Sequence, residues 1–75
     1  MSWIKKGDLI EARGVSWVAV CDNYTKLVRD WSVRDYDSAS AVGAVRACPA
    51  EGGGETVELL IGRDRVSIIQ PSGQP

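Results

Sequence analysis

Glu55-Thr56-Val57-Glu58-Leu59-Leu60-Ile61-Gly62-Arg63-Asp64-Arg65-Val66-Ser67-Ile68-Ile69 carries the clearest structural signal in the chain. Val57, Leu59 and Ile61 recur at every second position, the spacing of one face of a pleated strand, and Val66-Ser67-Ile68-Ile69 starts a second apolar run. Only Gly62-Arg63-Asp64-Arg65 lies between them. The segment therefore reads as two strands joined at a tight polar corner.

Working back, Pro49-Ala50-Glu51-Gly52-Gly53-Gly54 is a loop, and the stretch 38–47 before it reads two ways. Asp37 or Ser38 as an N-cap, the alanines, and Val42 with Val45 at a three-residue spacing suit a short helix. Gly43 and the β-branched pair suit a strand instead, with Val42 to Cys48 forming a hairpin against Glu55 to Ile61. Further upstream, Leu27-Val28-Arg29-Asp30-Trp31-Ser32-Val33-Arg34 alternates Leu27, Trp31 and Val33 against Asp30, Ser32 and Arg34, as a strand with one wet face does. Ser16-Trp17-Val18-Ala19-Val20-Cys21 is apolar on both faces and stops at the turn-forming Asp22-Asn23, which marks a central strand. Lys5 to Arg13 alternates Ile10 and Ala12 against Leu9 and Glu11, and the short Gly14-Val15 spacer makes a hairpin of this strand and the next.

The fold class that follows is mainly β: a small antiparallel sheet of five to six strands or an SH3-like partial barrel, turning α+β if 38–47 is helical. A length of 75 residues leaves room for one folding unit. Residues 1–70 are expected to form this single β-rich domain and 71–75 a flexible tail. Trp17, Val18, Val20, Val57, Leu59, Ile61, Val66 and Ile68 form the expected core. Lys6-Gly7-Asp8-Leu9-Ile10 near the start, with Glu55 to Ile61 and Arg65 to Ile69 near the end, resembles the two ends of many SH3-like or Sm-like small barrels. The resemblance covers about a third of the chain and implies an architecture alone.

Composition narrows the function. Nine Lys and Arg against 10 Asp and Glu give a net charge of −1, so bulk electrostatics favours neither nucleic acid nor an anionic membrane. With no His and only two Cys, the commonest general base and any four-ligand thiolate or imidazole zinc site are missing. Asp35 and Asp37 have no neighbour to complete an acid–base pair or metal site, and Gly52-Gly53-Gly54 lacks the Lys and helix start of a phosphate loop. Cys21 sits in an apolar run with nothing to activate it. No enzyme activity, cofactor or metal is expected.

No apolar run approaches the roughly 20 residues of a membrane-spanning helix, and the start lacks the order of a secretory signal. A cytoplasmic location is the expectation, with Cys21 and Cys48 reduced. The predicted role is a small non-catalytic binding or regulatory module acting through contacts with another protein. Self-association is also expected, because a core this small rarely yields more than about 3–5 kcal/mol. Nucleic-acid binding through Lys5, Lys6, Arg63 and Arg65 is the alternative, and an oligomeric enzyme with a site on a symmetry axis is a third reading. The candidate contact residues are Arg63 and Arg65, whose forked guanidiniums suit carboxylate or phosphate, with Trp3, Tyr24 and Tyr36 near strand ends. Asp64 is positioned in sequence to neutralise either arginine.

Overall fold

The computed structural model describes residues 3–29 and 39–72. Six strands, all antiparallel, make up one sheet: β1 (Leu9–Ala12), β2 (Val15–Ala19), β3 (Tyr24–Arg29), β4 (Ala39–Pro49), β5 (Val57–Leu60) and β6 (Ser67–Gln70). The sheet curls into a half-barrel and no helix occurs among the described residues, so the mainly β reading stands and the helical option for the stretch 38–47 falls over its described part, 39–47. Tertiary pairing decides that ambiguous stretch. Ala44 pairs with both Tyr24 and Leu60, and Ala47 with both Ala19 and Val57, so the backbone of β4 is engaged on both edges. A strand with partners on both sides satisfies its N–H and C=O groups without help from a helix.

β5 therefore lies along one edge of β4, while β2 and β3 share the other, end to end. Between β2 and β3, Val20 still donates its N–H to the Arg46 carbonyl at 2.9 Å, and Asn23 turns aside to bond Ile4 through both its backbone and its side chain. β1 pairs with β2 and β6, leaving β5 and β6 as the two borders of the half-barrel.

The register sets which side chains face inward. Ile10 and Ala12, Trp17 and Ala19, Val45 and Ala47, and Leu59 alternate onto one face and are buried, with Ile4 packed among them. Three of these are alanines, which leave room for Trp17, whose indole Nε1 donates to the Ala12 carbonyl at 2.9 Å. Trp17 and Leu59 match the expected core. Val57, Ile61, Val66 and Ile68 are half-buried against it. Val18 and Val20 differ: they point to the opposite, convex face, where Val18 is half-buried and Val20 is exposed. An apolar run on both faces implies two covered faces, and a half-barrel covers one.

Two element boundaries also shift. The turn between β1 and β2 is Arg13-Gly14, since Ala12 pairs with Val15. The third strand begins at Tyr24 and is described to Arg29, so Trp31, Val33, Tyr36, Asp35 and Asp37 lie outside the described residues. Leu27, read onto a common apolar face with Trp31, is 73% exposed. Ser72, within the stretch 71–75 read as a tail, donates its N–H to Asp8 at 2.7 Å, and residues 73–75 lie outside the described residues.

Candidate functional site

The β1–β2 turn brings the first unexpected residue to the site. Arg13 and Gly14 have φ values of 55° and 72°, the paired positive angles of a type I′ hairpin turn, which Asn-Gly or Gly-Gly fills best. A side chain in that left-handed region costs roughly 1–2 kcal/mol relative to ordinary backbone. Arg13 spans the groove to Asp64: its Nε and Nη2 donate to the two carboxylate oxygens, both at 3.1 Å. Asp64 is fixed from behind by its own corner, where its Oδ2 accepts the Leu60 N–H at 2.8 Å and its N–H donates to the Leu60 carbonyl at 2.9 Å. The Arg13 guanidinium, and then the Leu60 N–H, hold the Asp64 carboxyl below its ordinary range against the opposing effect of burial. Asp64 in turn raises the pKa of Arg13, which stays charged at any working pH.

Asp64 thus pairs with a residue 51 positions away and with neither of its neighbours in sequence. That leaves Arg63 and Arg65 exposed on an open groove of about 360 Å³, lined by Glu11, Ala12, Arg13, Gly14, Arg63, Asp64 and Arg65. Arg65 has a φ of 50°, and among the described residues Arg13 and Arg65 are the only non-glycine positions in the left-handed region. Backbone strain of this kind gathers where a side chain is needed in a set place. The sequence flagged Arg63 and Arg65; it missed Arg13, because only the pairing of β1 with β6 brings residue 13 to residue 64.

The other candidates lie elsewhere. The Tyr24 hydroxyl donates to Glu58 Oε2 and Lys26 Nζ to Glu58 Oε1, a cluster that crosses β4 from β3 to β5. Lys26, and then Tyr24, lower the Glu58 pKa. Burial, then the bond to Glu58, raises the pKa of the Tyr24 phenol. Tyr24 is therefore engaged in internal bonding and only half-buried. Trp3 is 54% exposed beside Ile4, at the end of β1 opposite the Arg13 turn. Lys5, proposed above for nucleic acid, is 3.8 Å from Asp22 at that same far end.

A second surface emerges where β4 outruns the barrel. Among the described residues, 39–42 pair only with β3, while Gly43 also accepts the Ile61 N–H at 2.8 Å; on the inward side of this ribbon Leu27 stands opposite Ala41, flanked by Ala39 and Gly43. β3 has no strand on its outer edge among the described residues.

Cys21 packs against the core, whereas Cys48 lies across from Val18 on the convex face, with Sγ 3.8 Å from the Val18 carbonyl. Both thiols are free. Among the described residues, no cluster of three or more Cys, Asp or Glu is placed to hold a metal ion, and no helix is long and apolar enough to cross a membrane. No protein-family profile, curated protein or solved structure matches the chain.

Proposed function

We propose that this chain is a small non-catalytic binding module that works through contacts with another protein, by adding an extended segment of the partner to the outer edge of β3. The observation that carries this reading is the β3–β4 ribbon: a strand with no partner on its outer edge among the described residues, with Leu27 73% exposed beside small residues. An open edge offers a row of backbone donors and acceptors, and pockets at alternate side chains supply selectivity. Solitary large apolar side chains on a free edge favour uncontrolled pairing, so one kept there has a use. We read the half-barrel as SH3-like in architecture and place the module in the cytoplasm, where thiols on opposite faces of a sheet stay reduced.

Nucleic-acid binding gains no support, because Lys5 and Lys6 sit at the opposite end of β1 from Arg63 and Arg65. A continuous basic track is what such binding requires.

Affinity capture from the source cell, followed by binding measurements with the purified partner, tests the reading. A folded Leu27→Asp variant is expected to bind about 10-fold more weakly, ~1.4 kcal/mol. Equal binding by that variant removes the ribbon from the interface. Submicromolar, steeply salt-dependent binding of single-stranded RNA or DNA by the parent replaces the protein reading altogether.

A further inference from the structure

We propose that the groove between the Arg13-Gly14 turn and the 62–65 corner is a carboxylate-binding site, in which Arg65, assisted by Arg63, takes the side chain of an Asp or Glu from an acidic protein segment. This goes beyond the ribbon reading and rests on different residues.

Three observations converge on it. Arg13 and Arg65 are the only non-glycine residues among those described with left-handed backbone, and both line this groove. Glycine or asparagine fits that conformation more readily, so each arginine is held against its backbone preference. For Arg13 the compensation is visible, a two-pronged bond to Asp64. For Arg65 there is none: neither Arg63 nor Arg65 has a hydrogen bond or ion pair among the described residues.

The second observation is that Asp64, the carboxylate between these two arginines in sequence, is already occupied. Asp64 spends both oxygens on Arg13 and one of them also on the Leu60 N–H. Two unpaired guanidiniums then face a groove whose other acidic lining residue is Glu11, exposed on β1. The third is shape. The groove is open to an incoming side chain, and a guanidinium is a planar fork that matches the two oxygens of a carboxylate. A nucleic-acid strand would need further cations in line, and Lys26, on β3 across β4 from the β5 strand, is bonded to Glu58.

The test uses the intact chain and a tetraglutamate peptide with blocked ends, followed by amide chemical shifts. Saturable shifts confined to residues 13–15 and 63–66 are expected. Arg65→Gly separates function from fold, since glycine suits a φ of 50°. That variant should keep or raise Tm while its affinity for the peptide falls about 10-fold. Arg65→Lys, which keeps the charge but loses the fork, should also weaken binding. Shifts that do not saturate, that map elsewhere, or that survive Arg65→Gly overturn the proposal. So does tighter binding of inorganic phosphate or of a single-stranded oligonucleotide than of the peptide.

Discussion

Asp8 is 2% exposed, and a carboxylate is kept from water only where its oxygens are satisfied. Here Oδ2 accepts the Lys5 N–H at 2.9 Å and Oδ1 accepts the Ser72 N–H at 2.7 Å, while the Asp8 carbonyl takes the Ala19 N–H at 2.9 Å. Gly7 alongside has a φ of 95°, and a Cβ there would come within 3.3 Å of the Ser72 Cβ, so the position favours glycine twice over. Asp8→Ala strands two backbone donors and should cost about 2–4 kcal/mol. Asp8→Asn, with a single acceptor oxygen and an NH2 group facing another donor, should recover only part of that. Thermal unfolding of both variants checks this, and a Tm for Asp8→Ala equal to the parent's would show that the carboxylate is dispensable. The local half of this arrangement is legible in Lys5-Lys6-Gly7-Asp8, where an Asp three residues on can fold back to the backbone. The Ser72 half, 64 residues away, is not.

β4 shows how one strand can serve two structures. Its residues 44–49 are shared between β5 and β2 and Gly43 is bonded to Ile61, whereas among the described residues 39–42 have only β3 beside them. Local opening follows the number of packed neighbours, so amides from Val45 to Cys48 should exchange with solvent far more slowly than those from Ser40 to Val42. Hydrogen exchange read residue by residue measures this directly, and uniform protection along β4 would mean the ribbon is braced by contacts other than β3. The hairpin of Val42–Cys48 with Glu55–Ile61 was readable from alternation and the glycine loop; its pairing runs from Ala44–Ala47 to Val57–Leu60. The extension of β4 toward residue 39 was not, because Ala39, Ser40 and Ala41 carry no strong preference and gain their conformation from β3. For the same reason the sequence points to larger residues such as Val20 and not to the inward alanines. Burial of a small side chain depends on which face it occupies, and that is fixed by register.

Across the whole molecule, two carboxylates besides Asp8 join parts distant in sequence: Asp64 links the first turn to the β5–β6 corner, and Glu58 links β5 to β3. Both are held below their ordinary pKa, Asp64 chiefly by Arg13 and Glu58 chiefly by Lys26. A depressed carboxylate contributes stability above its unfolded pKa, and that contribution is lost as pH falls through the folded value. The chain should therefore lose Tm progressively below about pH 4, and a Glu58→Gln variant should show a shallower loss. Tyr24 works in the opposite sense. Its raised pKa gives stability that is present at neutral pH and declines as pH climbs above about 10. Melting temperatures across the full pH range check both arms, and a flat acid arm would show that neither carboxylate bond matters to folding. Of the candidate groove, the sequence revealed Arg63 and Arg65 because they adjoin a visible corner; Arg13 and the true partner of Asp64 appeared only with the closed sheet. The Asp8 carboxylate has one last consequence. It gathers Lys5 and Ser72 at a single point, so the backbone is close to a ring, clasped at the pole away from Arg13 and Arg65. Sequence appended ahead of Trp3 or behind Ser72 departs from that pole, and a tether or cargo fused on either side leaves the arginine groove facing outward.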